Sequence, residues 1–180
     1  MRLVKMDIEL YHGDIMDLDV DVLICSANVS LNLSGGVGGA LMEKYGSELQ
    51  TELHSHLPVA PPRFAKQGDV IVTRPANVPY RAVLHAVAVD PFYSSDVDII
   101  SEITHKALEL AAREKAVTVA LAALATGFGD LSVEDFAKGL RSNMDGNYHP
   151  IERVVVALQS AMCVDEIKGI IPEATVLGTL

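Results

Sequence analysis

Basic side chains are scarce in this 180-residue chain: 14 Lys+Arg stand against 24 Asp+Glu, giving a formal net charge of −10 and a pI near 4.9. Nucleic-acid binding needs clustered Lys and Arg to neutralise phosphates, and no basic run is present, so nucleic acid is not an expected partner. Anionic membrane surfaces are disfavoured for the same reason. Long apolar runs are missing too. The longest, Ala116–Ala125, falls well short of the roughly 18 residues needed to cross a bilayer. The opening residues, Met1–Asp7, lack the apolar stretch of a secretory leader. Cysteine is limited to Cys25 and Cys163, which form neither a CxxC pair nor a disulfide framework. The expectation is a reduced, cytoplasmic setting without a membrane partner. No GK[ST] follows any glycine cluster, so a P-loop is excluded. Gly36-Val37-Gly38 lies about ten residues beyond its strand, too far for a dinucleotide fingerprint.

What is present is an ordinary globular composition, 49% hydrophobic and 21% charged. The length predicts one domain spanning residues 1–180, long enough to bury about 70% of its unfolded surface.

Strand and helix signals alternate. Ile8–Tyr11, Val20–Cys25, Asp69–Thr73, Ala82–Val89, Val117–Ala123 and Arg153–Leu158 read as strands, several apolar throughout and so buried on both faces. Ala40–Leu53 reads as one helix, with Leu41, Tyr45, Leu49 and Leu53 on a single face. Asp98–Lys115 is amphipathic, Ser132 is an N-cap before an acidic first turn, and Ala161–Ile171 is a final helix. His54–Gln67 carries three prolines and reads as a loop. The pattern predicts a three-layer α/β/α domain around a sheet of about six strands. A tight turn at Gly13-Asp14 makes an antiparallel first pair, and so a mixed sheet, the expectation.

Ligands of such sheets sit at the carboxyl ends of the strands. Two Gly-rich loops are expected there, Ser26–Gly39 and Ala125–Gly129. Glycine lets backbone approach a ligand closely. Successive N–H groups and a helix N-terminus then form an anion site without charged side chains. One such loop reads most simply as a tight turn. Two, each at a strand end, point to a diphosphate.

Four segments resemble those of the macrodomain family. They are Gly13-Asp14-Ile15; Ser26-Ala27-Asn28 followed by Leu31 and Gly35-Gly36-Val37-Gly38-Gly39-Ala40; Gly68–Thr73 with His85-Ala86-Val87; and Ala125-Thr126-Gly127-Phe128-Gly129. The resemblance runs from about Ile8 to the last helix, in the family's order. It implies a macrodomain-like fold and ADP-ribose as the ligand, with no cofactor required. The partner is then ADP-ribose itself or an ADP-ribosylated protein. It also implies residue roles. Asp14 accepts from the adenine amino group and Ile15 packs near the base. Asn28 holds the distal ribose, and in a hydrolase would orient it for catalysis. Backbone at Gly35, Gly36, Val37 and Gly38, and at Thr126, Gly127 and Gly129, holds the diphosphate. Phe128 flanks the distal ribose. No metal site is implied.

Each role has a plainer competitor. Asp14 reads equally as a turn cap, Asn28 as a loop amide bonded to backbone, and Phe128 as a plug beneath its loop. The chain also departs from the family. Cys25 replaces the first asparagine of the NAAN segment, and Ser34 replaces a glycine. Gly38 stands where one hydrolase branch has a catalytic aspartate, and Gln159 where many relatives stack an aromatic on adenine. Buried structural cysteine is the commoner reading of Cys25. His85 reads as a core histidine, His54 and His56 as a surface pair, and Asp17, Asp19 and Asp21 as solvated turn residues. Three functions follow: an ADP-ribose binder, a hydrolase of ADP-ribosyl adducts using water activated by the substrate's own phosphate, and an assembly module that has lost the ligand. Gly38 favours the first over the second.

Overall fold

The computed structural model describes residues 5–178. Seven strands form one sheet: β1 (Asp7–His12), β2 (Val22–Ala27), β3 (Val70–Thr73), β4 (Ala82–Val87), β5 (Thr118–Ala122), β6 (Arg153–Leu158) and β7 (Thr175–Val176). Their order is β3-β4-β2-β5-β6-β1-β7. Five helices flank it: α1 (Gly36–Tyr45), α2 (Glu48–Ser55), α3 (Val97–Arg113), α4 (Val133–Arg141) and α5 (Ala161–Ile170). This is the mixed α/β architecture expected, with one strand more. The added strand, β7, has only two residues, too short to leave a hydrophobic pattern. Among the described residues no helix is long and apolar enough to cross a membrane.

The sheet is mixed for a different reason from the one expected. β1 and β2 are not neighbours; β6 and β5 lie between them. The antiparallel pair is β3 with β4, whereas every other pairing is parallel. Gly13-Asp14 therefore leads into a crossover rather than a hairpin.

Strand alternation builds two cores, one on each side of the sheet. Val22 and Ile24 of β2 pack with Ile100 and Ile103 of α3, Phe136 and Leu140 of α4, and Ile167 of α5. Leu23 and Cys25 point the other way, to Leu41 of α1 and to Leu49 and Leu53 of α2. Helices thus cover both faces, which is why β2 and β4 are apolar along nearly their whole length.

The helix expected over Ala40–Leu53 is two helices. Gly46 has φ +87°, which ends α1, and its N–H bonds Met42 O at 2.8 Å. α1 also starts earlier than expected, at Gly36 inside the Gly-rich loop. Asp21 is no free turn residue. Its carboxylate takes the N–H groups of Val117 (2.8 Å) and Thr118 (3.0 Å) and pairs with Arg81 at 3.1 Å, fastening β5 beside β2. Ser132 caps α4 as read, accepting from Asp135 N at 3.1 Å.

Candidate functional site

The carboxyl ends of β1, β2, β4, β5 and β6 open on one cleft of about 730 Å³. All the residues given ligand roles by resemblance line it: Asp14 and Ile15 after β1, Asn28 and Gly35–Gly38 after β2, Thr126–Gly129 after β5. Their convergence follows from the parallel sheet, which points the exit loops of these strands the same way.

The first Gly-rich loop runs straight into α1. Gly36 takes φ +55°, a conformation open to glycine at little cost. The first helical bond is Gly39 N–H to Gly35 O at 3.0 Å. The N–H groups of Gly36, Val37 and Gly38 precede it, and none has a backbone partner among the described residues. The loop is held from outside by Gln50 of α2. Its side chain accepts from Leu33 N at 2.7 Å and donates to Leu31 O at 2.8 Å. Leu31 itself sits at φ +55°.

The second Gly-rich loop is pinned to the end of β2. Ser26 Oγ accepts from Ala125 N at 2.9 Å. Ala125 has φ +62°, and Gly129 lies directly over it: a Cβ on Gly129 would fall 2.2 Å from Ala125 O. Phe128 is 76% exposed. It lines the cleft and is not a plug beneath the loop.

Asp14 does act as a turn cap, its Oδ1 accepting from Met16 N at 2.9 Å ahead of a short 3₁₀ turn at Ile15–Asp17. The other oxygen has no hydrogen bond among the described residues, so the cap leaves a second acceptor free. Ile15 is buried in the core that α1 and α2 cover. Asn28 forms a closed pair with the backbone of Asn32: Nδ2 donates to Asn32 O and Oδ1 accepts from Asn32 N, both at 3.2 Å. Gly38 is buried against Leu33, whose Cδ2 would lie 2.9 Å from a Cβ there. Ser34 and Gln159 line the cleft.

No Lys or Arg lines the cleft among the described residues, and Asp14 is the carboxylate in it. What the lining offers an anion is N–H groups and the start of α1, beside the imidazole of His12. Cys25 is fully buried, and burial pushes its thiol up to about 12, so it is no thiolate nucleophile at neutral pH. His85 is a core histidine: its Nε2 meets Thr73 Oγ1 at 2.9 Å and its Nδ1 lies 3.7 Å from Cys25 Sγ. Burial pushes His85 down to about 3, with the neighbouring His56 adding to it. His54, which does not line the cleft, meets with its Nε2 the Oδ1 of Asn32, which does, at 3.0 Å.

Several cleft residues lie outside the four family-like segments, His12, Tyr93 and Cys163 among them. Tyr93, at φ +64°, leans in from the loop after β4. Cys163, in the first turn of α5, lines the cleft beside Gln159. The position of the β4 loop at a strand's carboxyl end is the signal available for Tyr93.

Residues 24–140 match the family model described as Macro domain. An uncharacterized protein of Mycobacterium tuberculosis is 27% identical over 157 residues, 85% of this chain. The chain spans 41% of that relative's length. A protein of Enterobacter cloacae named O-acetyl-ADP-ribose deacetylase is 32% identical over 130 residues, 68% of each chain. The Trypanosoma brucei macrodomain, solved in complex with ADP-ribose, superposes with a TM-score of 0.78 at 20% identity, covering 91% of this chain and 68% of the other. The model match, which covers well over half of the residues, makes this chain a member of the macro domain family.

Proposed function

We propose that the chain is one macrodomain that binds ADP-ribose, free or attached to protein, in the cleft at the strand ends. The observation that carries this reading is the meeting of two Gly-rich loops around the unpartnered N–H groups of Gly36, Val37 and Gly38. A diphosphate is the anion such a cradle suits, since aligned N–H dipoles satisfy its oxygens without a lysine or arginine. The adenine amino group donates to the spare oxygen of Asp14, because an ionised carboxylate only accepts. Ile15 packs against the base, Phe128 and Asn28 border the distal ribose, and backbone at Thr126, Gly127 and Gly129 closes on the phosphates. The reading requires no cofactor. The Trypanosoma brucei neighbour crystallised with ADP-ribose supports the ligand class.

Hydrolysis of an ADP-ribosyl adduct is the second reading, favoured by the name of the Enterobacter cloacae relative. One feature weighs against it here: position 38 is glycine, so the loop carries no carboxylate at that point. A hydrolase built on this cleft would rely on water activated by the substrate's phosphate.

Calorimetry with ADP-ribose, ADP, AMP and ribose 5-phosphate tests the binding reading. Affinity should rise as the ligand gains the diphosphate and then the distal ribose. Absence of heat with ADP-ribose overturns both readings and leaves a module without a ligand. Incubation with O-acetyl-ADP-ribose and with ADP-ribosylated protein separates the two: turnover that is lost in Asn28→Ala establishes the hydrolase.

A further inference from the structure

Tyr93 is held in a conformation that costs an L-residue energy, and packing does not explain why. Its φ is +64°, yet the residue is 45% exposed. The loop around it is over-determined by hydrogen bonds. Asp90 Oδ1 accepts from Phe92 N at 2.8 Å and from Ser94 N at 2.9 Å. Tyr93 N–H donates to Asp90 O at 3.0 Å, and Tyr93 O accepts from Asp130 N at 3.2 Å. The Asp130 carboxylate takes Ser94 Oγ at 3.0 Å and Ser95 N at 3.1 Å. Strain maintained this firmly at an exposed aromatic points to a use for the ring.

Its position suggests the use. Beside the main cleft lies a second hollow of about 170 Å³, lined among others by Phe64, Asp90 and Tyr93. Asn28 and Tyr93 border both spaces. In the pose proposed above, the distal ribose reaches Asn28, so whatever that ribose carries continues into this hollow. The inference rests on that pose.

The hollow has a definite chemistry. Phe64 is 52% exposed, so two aromatic rings border it with substantial free surface. Asp90 uses Oδ1 for its own loop, while Oδ2 has neither a hydrogen bond nor a cation among the described residues. No Lys or Arg among the described residues lines the hollow. A carboxylate beside aromatic faces favours a cationic side chain, which gains an ion pair and a cation–π contact together. The net charge of −10 steers cationic partners toward the surface. We infer that the hollow of Phe64, Asp90 and Tyr93 is a peptide subsite that takes a Lys or Arg side chain next to an ADP-ribosylated residue.

The test uses two mono-ADP-ribosylated peptides that differ by Lys or Gln at the residue after the modified one, with free ADP-ribose as reference. Affinities are read by calorimetry at low salt in the wild type, in Asp90→Asn and in Phe64→Ala. Asp90→Asn keeps Oδ1 for Phe92 and Ser94 and removes only the charge. The wild type should prefer the Lys peptide by about three- to tenfold. Asp90→Asn and Phe64→Ala should each reduce that preference while binding free ADP-ribose as the wild type does. Equal affinity for the two peptides in the wild type, or a preference that survives both substitutions, overturns the subsite. Failure of the wild type to bind free ADP-ribose overturns the pose itself, and the subsite with it.

Discussion

The ring of Phe128 lies against Gly35, so that a Cβ on that glycine would fall 2.7 Å from Cε2 and 2.9 Å from Cζ. The two Gly-rich loops thus touch through one aromatic ring at the edge of the cleft. Because that ring is mostly exposed, it can swing aside. Gly35→Ala should change stability by less than about 1 kcal/mol and weaken ADP-ribose binding by displacing Phe128. Gly129→Ala should behave in the opposite way. There the obstacle is backbone, Ala125 O at 2.2 Å, and the expected cost is about 1–3 kcal/mol or more of stability. Thermal melting and calorimetry on both variants check the contrast.

Gln50 stands outside the cleft yet holds its loop. Gln50→Leu keeps the size of the side chain but strands Leu33 N and Leu31 O, in bonds that are partly buried. A loss of about 1–3 kcal/mol in chemical denaturation is expected. Affinity for ADP-ribose should fall more than affinity for AMP, because the loop it steadies leads to the proposed diphosphate site. Equal losses for both ligands would mean that Gln50 supports the fold alone.

Asp14 caps its turn and in the proposed pose also accepts from the adenine, and Asp14→Asn separates the two roles. The amide oxygen can still accept from Met16 N, so the melting temperature should hardly move. The amide NH₂ then faces the adenine amino group, donor against donor. Affinity for ADP-ribose should drop by about 1–3 kcal/mol, whereas the 6-keto analogue with hypoxanthine should bind the variant better than it binds the wild type. Competition calorimetry with the two nucleotides reads both effects.

Stability should depend on pH through His85. Burial keeps it neutral, with a folded value near 3 against 6.5 when free. The unfolded chain therefore binds the extra proton as pH falls below 6.5. Stability is complete above that value and declines toward pH 3, by up to about 1.4 kcal/mol per pH unit for this group. Asp21 acts lower. Burial opposes its charge, but the N–H groups of Thr118 and Val117 and the charge of Arg81 prevail and lower its pKa below 3.8. Its contribution is lost only as pH falls further. Urea midpoints between about pH 7 and pH 4.5 should show the His85 slope, and His85→Leu should flatten it.

Much of this arrangement is legible in the sequence, for identifiable reasons. β2 and β4 are covered by helices on both sides, so their residues form nearly continuous apolar runs. The Gly-rich loops stand at strand ends, where a parallel sheet collects them. Local chemistry also gives Ser132 as a helix cap. What is not legible depends on distant partners. Gln50 meets a loop 17 to 19 positions away. Beside the fully buried Leu49 it reads as the ordinary polar face of a helix. Asp21 likewise reads as a turn residue until β5, far along the chain, comes to lie beside it. Tyr93 has no glycine to announce its left-handed backbone. The break at Gly46 is open to reading, since glycine followed by serine ends one helix and starts another. The apolar stripe running through to Leu53 obscures it.

In the proposed complex, backbone N–H groups of both Gly-rich loops hold a diphosphate in the cleft. A crystal structure of the chain grown with ADP-ribose measures this most directly. Phosphate oxygens are expected within about 2.7–3.2 Å of N–H groups in Gly36–Gly38 and in Thr126–Gly129, with adenine at Asp14 and the distal ribose at Asn28. Density that places the diphosphate away from these loops, or an empty cleft at saturating ADP-ribose, would contradict it.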